Sequence, residues 1–277
     1  MQLQDLRDLT EIFDAMFEIL EPMFIENLAP NKQGFQEKAD NQLVGDFDRR
    51  VEEKVFEFLN KHFPDIAVVS EEAGGEWPPS EDTTWLLDPL DGTHNSLAGI
   101  PLQGSMLALI LKREVAFSAI FLPMERKLGG SGLYIAGQNQ GAWSYRNKKS
   151  ARLTVSNESE LDKAFILLEG QSKKIINFAA ETKIAELTRR NRISLSACWT
   201  MTRVASGGLY SAGVDGAVIV DNKPWDNLPG CLLVEEAGGK VTDCDNNPWS
   251  VKNYSNLVLS NGKLHDQILK AIHQKVE

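Results

Sequence analysis

The segment Trp85–Asn95, WLLDPLDGTHN, places two carboxylates three residues apart at the end of an apolar run. Asp88 would be partly desolvated there, and Asp91 would repel it in a medium of low dielectric constant. Two such carboxylates either share a proton or bind a cation. Hard divalent cations such as Mg²⁺ prefer oxygen ligands, so the pair predicts a metal site.

Gly92 and Thr93 follow the second acid and predict the start of a short helix. Backbone N–H groups at a helix N-terminus bind phosphate oxygens. The segment therefore predicts a cation site beside a phosphate site. The plain alternative is a structural turn, because proline fixes φ and glycine accepts positive φ in Pro-Leu-Asp-Gly.

Two further acidic segments could complete the site. VVSEEAGG puts Glu71 and Glu72 after another short apolar run, and one of the two is expected to lie in solvent. KPWDNLPG puts Asp226 at the start of a predicted helix, where an aspartate is an ordinary N-cap. A metal-binding role for Asp226 requires it to face Asp88 in space, which spacing alone does not show.

The elements around these segments change character along the chain. Helical spacing of apolar residues over 2–28 and 48–63 is followed by short strand-like runs, which predict a largely antiparallel sheet. After residue 155, strands alternate with predicted helices, as is typical of an α/β unit. These helices are expected at 172–190, 199–212, 226–237 and 263–275. The polar segment 146–160 is the expected seam, which gives an N-terminal half, 1–150, and a C-terminal half, 151–277.

Composition excludes several classes of protein. The 277 residues carry a formal net charge of −10, so a nucleic-acid polymer is not an expected partner. Cysteines number three and form no C-x-x-C pair, which favours a reducing, cytoplasmic setting over a disulfide scaffold. No apolar run of about 18 residues occurs, so no membrane span is expected.

Together, the three acidic segments resemble the inositol monophosphatase family of metal-dependent phosphatases over about residues 38–239. SEEAGG matches the family's acidic pair after a short strand, and WLLDPLDGTHN matches W-x-x-D-P-x-D-G-T-x-N. WDNLPGCLLVEEAGG matches W-D-x-x-x-G with its E-A-G-G ending. The resemblance implies a layered αβαβα sandwich of the sugar-phosphatase type, α+β in the N-terminal half and α/β in the C-terminal half.

The resemblance also implies a ligand set for two or three Mg²⁺ ions. It assigns to the metals the carboxylates of Glu71, Asp88, Asp91 and Asp226 together with the backbone carbonyl of Leu90. The same comparison places Leu90, Asp91 and Asp226 next to the bound phosphate.

Four residues take catalytic or phosphate-binding roles by the same resemblance. Gly92 and Thr93 would donate backbone N–H groups to the phosphate. The Thr93 hydroxyl and Glu71 would orient a metal-bound water, and Asp48 would support Thr93 or a third ion. The implied reaction is Mg²⁺-dependent hydrolysis of a small polyol or sugar phosphate, similar to inositol 1-phosphate, by a cytoplasmic, lithium-sensitive homodimer.

Several positions depart from the family pattern. Ser96 replaces a frequent aromatic residue, and Gly45 with Asp46 replaces a usual threonine. Segment 196–208 matches the substrate loop poorly, and Ile219 stands where inositol-specific members carry a glutamate. Whether Asp221 compensates is left open, as is the role of His94. The phosphate half of the site therefore matches better than the alcohol half.

Other functions remain to be weighed. Histidinol phosphate, 3′-phosphoadenosine nucleotides and fructose 1,6-bisphosphate are alternative substrates within the same fold. The spacing D-x-x-D-x-T is one residue too long for an aspartyl-phosphate phosphatase, and no P-loop sequence occurs. The non-enzyme alternative is an inactive scaffold or regulatory dimer. His62, His265 and His273 are expected at the surface, and Trp199 and Trp225 in the core.

Overall fold

The computed structural model describes residues 6–28, 35–37, 43–170 and 183–274. The described helices are α1 (Leu6–Asn27), α2 (Asp46–His62), α3 (Thr93–Leu97), α4 (Pro123–Lys127), α5 (183–187), α6 (Ala197–Ala205), α7 (Pro224–Glu236) and α8 (His265–Ile272). Within these ranges, none of the helices is both long and apolar enough to cross a lipid bilayer.

The strands form one small sheet and two large ones. The small sheet pairs β1 (Phe35–Glu37) with β2 (Leu43–Gly45). The remaining strands are β3 (Ala67–Ser70), β4 (Thr83–Asp91), β5 (Gly104–Leu111), β6 (Glu114–Phe121), β7 (Leu133–Gly137), β8 (Gly141–Arg146), β9 (Lys149–Arg152), β10 (Phe165–Gly170), β11 (Arg190–Ile193), β12 (Gly216–Val220), β13 (Lys240–Asp243) and β14 (Leu257–Ser260).

The N-terminal sheet has seven strands in the order β3-β4-β5-β6-β7-β8-β9. Only β3 and β4 are parallel among these pairs, which confirms the predicted antiparallel character. Helix α1 covers one face because residues such as Phe13, Phe17 and Phe24 recur at helical spacing and are fully buried. Phe17 stacks on Phe121 of β6 with ring centroids 4.3 Å apart.

The C-terminal sheet has five strands in the order β11-β10-β12-β14-β13. β10 pairs in parallel with both β11 and β12, so the amino ends of these three strands share one edge of the sheet. β14 is antiparallel to β12 and to β13. The sheet is therefore mixed, with a parallel part and an antiparallel edge.

Three apolar clusters define the layers. The first joins α1 and α2 to one face of the seven-stranded sheet. The largest contains residues of α6 and α7 and of both large sheets, so these two helices lie between the sheets. The third joins α8 to the outer face of the five-stranded sheet. This succession is the layered αβαβα sandwich that the sequence predicts.

Several element predictions need correction. Strand β13 was not predicted, and β9 lies within the polar segment taken as the seam. The helix expected at 199–212 is Ala197–Ala205 and is followed by a short 3₁₀ turn. The helix expected at 226–237 is Pro224–Glu236, so it begins two residues earlier than predicted. Most of the helix predicted at 172–190 lies outside the described residues.

Candidate active site

A bulge at the end of β4 brings the two central carboxylates to one face of the sheet. Residues three apart on a regular strand point to opposite faces. Here Asp88 is opposite Met106 and Asp91 is opposite Gly104, so β4 advances three residues over a stretch in which β5 advances two. The extra residue returns Asp91 to the face that Asp88 occupies. That face is the one covered by α6 and α7, because Met106 belongs to the same core cluster.

The turn after β4 is held by its own polar groups. The Leu90 N–H donates to Asp88 Oδ1 at 2.9 Å, and the Thr93 hydroxyl donates to the Leu90 carbonyl at 3.1 Å. Gly92 caps α3 with φ of +85°. A Cβ at this position would lie 2.7 Å from the Leu102 carbonyl oxygen, so the close approach requires glycine.

Glu71 lies in a tight turn anchored from α2. Ser70 and Gly74 exchange backbone hydrogen bonds at 3.1 and 2.9 Å, and the Glu71 N–H donates to the Leu87 carbonyl. The buried Glu52 carboxylate accepts from the Ser70 hydroxyl and, at 2.9 Å, from the Ala73 N–H. Glu52 therefore positions the turn that carries Glu71, and sequence reasoning missed it.

Asp226 is the third residue of α7. Its Oδ2 accepts from the Lys223 N–H at 2.9 Å, so it caps the helix from inside and is not the N-cap itself. The carboxylate nevertheless reaches the end of β4. One oxygen each of Glu71, Asp88 and Asp226 lies within 4.8 Å of the other two. These three residues are called the carboxylate cluster below.

The electrostatics of the carboxylate cluster favour a cation. Burial, followed by the charges of Glu71, Asp226 and Asp91, raises the pKa of Asp88 well above its usual value. Burial and the charges of Glu71 and Asp91 raise the pKa of Asp226 in the same way. Crowded carboxylate oxygens next to a turn carbonyl are the donor set that Mg²⁺ prefers, so these residues fit such an ion.

Asp91 lies beside the carboxylate cluster and contacts the start of α6. Its carboxylate accepts from the Ser196 hydroxyl at 2.7 Å and from the N–H groups of Ala197 and Cys198 at 3.1 and 2.9 Å. Burial raises its pKa although these hydrogen bonds lower it. A residue of the N-terminal half is thus held by a helix of the C-terminal half.

Asp48 is buried at the start of α2, on the third helical residue. Its Oδ2 accepts from the Gly45 N–H at 2.8 Å. Gly45, one of the departures from the family pattern, is therefore the N-cap residue of α2. A second departure, Ser96, is buried and accepts a hydrogen bond from the Asn27 amide of α1 at 2.9 Å.

Glu169, at the end of β10, is a buried acid that sequence reasoning missed. It accepts from the Ser194 N–H at 3.0 Å and the Ser196 N–H at 3.2 Å, and from the hydroxyls of Ser194 and Thr200. Burial raises its pKa, whereas the bonds from Ser194 and Thr200 lower it. These four residues, the Glu169 network, fix the segment that holds Asp91. The available signal was an acid ending an apolar strand, as Asp88 does.

Other predicted positions lie in different surroundings. Ile219 is fully buried in the central core, and Asp221 adopts φ of +63° after β12. His94 is exposed, and Trp199 and Trp225 pack partly buried against the core. The expectation for His265 was wrong. It is fully buried and bonds to Thr242 and Ser260, and its burial lowers its pKa to about 4.

Comparison with known proteins gives the same family as the sequence motifs. A sequence profile of the inositol monophosphatase family matches residues 5–277. The fructose-1,6-bisphosphatase/inositol-1-monophosphatase of Aquifex aeolicus is 28% identical over 250 residues, covering 89% of this chain and 88% of the relative. The putative Nus factor SuhB of Neisseria meningitidis serogroup B is 31% identical over 249 residues, covering 86% and 87%.

Solved structures share the fold. An IMPase from Thermotoga maritima superimposes with a TM-score of 0.83 at 25% identity and covers 96% of each chain. The layered αβαβα sandwich and the converging acids of the carboxylate cluster define a protein of the sugar-phosphatase type. The chain belongs to the inositol monophosphatase family and is a phosphatase.

Proposed function

We propose that this phosphatase hydrolyses monoesters of small polyols or sugars, similar to inositol 1-phosphate, in a reaction that depends on Mg²⁺. The observation that carries the proposal is the convergence of Glu71, Asp88 and Asp226 beside the Gly92 turn. Those acids come from a loop, a strand end and a helix of different parts of the chain. A purely structural turn at Asp88 would not require the other two.

The chain's own groups have distinct roles in the proposed reaction. Glu71, Asp88, Asp226 and the Leu90 carbonyl would hold the ions, and Asp91 would complete the set from its anchored position. When bound, Mg²⁺ lowers the pKa of a water molecule and neutralises charge on the phosphoryl group.

Phosphate binding and water orientation fall to the turn after β4. The N–H groups of Gly92 and Thr93 lie at the start of α3 and would donate to the phosphate oxygens, because the glycine lets the backbone approach closely. The Thr93 hydroxyl and Glu71 would orient the attacking water. Asp48, buried at the start of α2, would support Thr93 or a third ion.

The part of the site that would contact the alcohol portion of the ester determines which substrate is accepted. Ile219 is enclosed in the core and offers no polar group to a hydroxyl. A relative is named for both fructose-1,6-bisphosphate and inositol 1-phosphate, which supports a broad polyol class. Histidinol phosphate and 3′-phosphoadenosine nucleotides are the alternatives within this fold.

A substrate panel with and without Mg²⁺ tests the proposal. Inositol, fructose, histidinol and 3′-nucleotide phosphates are compared by release of phosphate, and the polyol esters are expected to give the largest kcat/KM. In the Gly92→Ala variant, kcat/KM is expected to fall about tenfold or more, because the new Cβ would lie 2.7 Å from the Leu102 carbonyl oxygen.

Gly99→Ala is the matched control for that substitution. Gly99 also has positive φ, +71°, but a Cβ there has nothing within 4 Å. Equal losses in the two variants would contradict a phosphate-binding role for the Gly92 turn. No phosphate release from any ester at high enzyme and saturating Mg²⁺ would instead favour the scaffold alternative.

We further propose a lithium-sensitive homodimer in the cytoplasm. Ile100, Ile193 and Leu195 are each more than two-fifths exposed, and Asn95 binds the carbonyls of Ser194 and Leu195, so they lie near one another. Burial in a dimer would remove this apolar surface from water. Lithium sensitivity is supported by a staphylococcal inositol monophosphatase of the same fold, which forms a lithium inhibitory complex. The cytoplasmic location is supported by the three cysteines, which are free.

A further inference from the structure

A cavity of about 860 Å³ lies at the amino ends of the parallel strands. It is bounded by residues 154–158, by the starts of β10 and β11, and by the loop 207–213 after α6. Glu169, by contrast, ends β10, and Asp226 follows the end of β12. The cavity therefore lies at the edge of the five-stranded sheet opposite the carboxylate cluster, and the proposed hydrolysis does not use it.

Cationic side chains dominate the charge of this cavity. Arg189, Arg190 and Lys263 line it and are exposed. None of the three has an acidic side chain within salt-bridge distance among the parts of the chain that the structure describes, whereas Lys163, also in the lining, pairs with Glu160 at 2.5 Å. Three cations without acidic partners in one concavity are unusual in a chain of net charge −10. Their mutual repulsion favours an anionic ligand.

The two acids in the lining are already bound elsewhere. Asp215 is buried, and its two oxygens accept from the Ser156 hydroxyl at 2.5 Å and the Phe165 N–H at 2.8 Å. Glu158 accepts from the N–H groups of Ser159 and Glu160. Both carboxylates therefore hold the cavity wall, and among the described residues neither forms a salt bridge with Arg189 or Arg190.

The size and remaining lining of the cavity narrow the ligand. A volume of about 860 Å³ is in the range of small-molecule sites and far exceeds what a single phosphate ion needs. Tyr210, half exposed, and Phe165, partly buried, add aromatic surface. Arginine pairs bind phosphate groups through paired N–H donors, which a lysine supplements as a point charge.

We propose that this cavity is a second binding site, separate from the catalytic one, for a small organic anion that carries two or more phosphate groups. Arg189 and Arg190 contact one phosphate from the start of β11, and Lys263 contacts another from the segment before α8. The loop 207–213 that closes the cavity continues α6, whose first residues hold Asp91. The two sites thus lie at the two ends of one helix.

Binding of methylenediphosphonate to the full chain tests the proposal, since this diphosphate analogue resists hydrolysis. Titration calorimetry is carried out in resin-treated, metal-free buffer, where the carboxylate cluster repels anions and the catalytic site does not compete. One saturable site is expected. Arg189→Gln and Arg190→Gln are each expected to weaken binding about tenfold, and Lys263→Gln by a smaller factor.

Arg192→Gln is the matched control. Arg192 lies two residues along the same strand, is exposed and does not line the cavity. Its removal is expected to change the affinity by less than about twofold. Absence of saturable binding at millimolar ligand overturns the proposal, and so does an equal loss in Arg190→Gln and Arg192→Gln. Thermal melts of each variant show that the fold is intact.

Discussion

Two acidic regions near the proposed active site, the carboxylate cluster and the Glu169 network, differ in how their charge is balanced. In the carboxylate cluster, one oxygen each of Glu71, Asp88 and Asp226 lies within 4.8 Å of the other two, and burial together with neighbouring acidic charges raises the pKa of Asp88 and of Asp226. In the Glu169 network, a single acid accepts from two N–H groups and two hydroxyls. Like charges crowd together in the first, whereas donors surround one charge in the second.

The difference separates binding from positioning. A crowd of carboxylates in low dielectric is unfavourable without a cation, so such a site keeps its geometry at a cost to stability. A carboxylate with four donors stabilises the segment around it. The Glu169 network supports Ser196, which in turn holds Asp91, so the second region orients a residue of the first.

Asp88→Asn is expected to have the largest effect on turnover. It removes one carboxylate from the centre of the cluster, so kcat at saturating Mg²⁺ should fall at least about a hundredfold. Steady-state phosphate release measures this. Asp82→Asn, an exposed acid just before the same strand, is the control and should stay near wild type. A kcat within about threefold of wild type for Asp88→Asn would exclude it as a ligand.

Glu169→Gln is expected to have an intermediate effect. The new amide replaces one carboxylate oxygen by an NH₂ group, which faces the Ser196 N–H in one orientation and the three donors of Ser194 and Thr200 in the other. This should lower the free energy of unfolding by about 1–3 kcal/mol and kcat about tenfold. Stabilisation by Mg²⁺ should survive, because the carboxylate cluster is intact. Glu160→Gln, at an exposed pair with Lys163, controls for charge. Loss of the Mg²⁺ response in Glu169→Gln would contradict a role for Glu169 that is limited to positioning.

A further expected effect is a shift in stability with pH and metal. Because the pKa values of Asp88 and Asp226 are raised, the metal-free folded chain holds protons that the unfolded chain has released. Stability from these groups should therefore fall as the pH rises above the usual carboxyl pKa of about 4. Mg²⁺ at a hundred times its Kd should add about 2.7 kcal/mol at neutral pH.

Thermal melts of wild type and Asp88→Asn between about pH 5 and pH 7 measure both effects. The variant should show a weaker loss of stability on raising the pH and a weaker gain with Mg²⁺. His265, which stays neutral when folded because its pKa is lowered to about 4, contributes an opposite slope to both proteins and cancels in the difference. Identical pH profiles would show that the crowded carboxylates at Asp88 do not affect the stability of the folded chain.

The sequence predicted the parts of the site that depend on local order. Asp88, Asp91 and Gly92 are within five residues of one another, so the acids, the turn and the short helix could be read together. Periodicity likewise predicted α1, α2 and the antiparallel sheet. It missed β13, which is a four-residue strand, and misplaced His265, because burial depends on what packs against α8.

Only the tertiary structure decided which acids meet. Spacing allowed Asp226 to be a simple cap, and the structure shows that its carboxylate both caps α7 and reaches Asp88. The bulge that turns Asp91 to the same face depends on an irregular register. The hydrogen bond between Glu169 and Ser196 joins residues 27 positions apart, and the bond between Ser196 and Asp91 joins residues 105 positions apart. Sequence determined the chemical groups, through residue types in short motifs. The fold determined their distances, because through-space charge and hydrogen bonding depend on packing between the two halves.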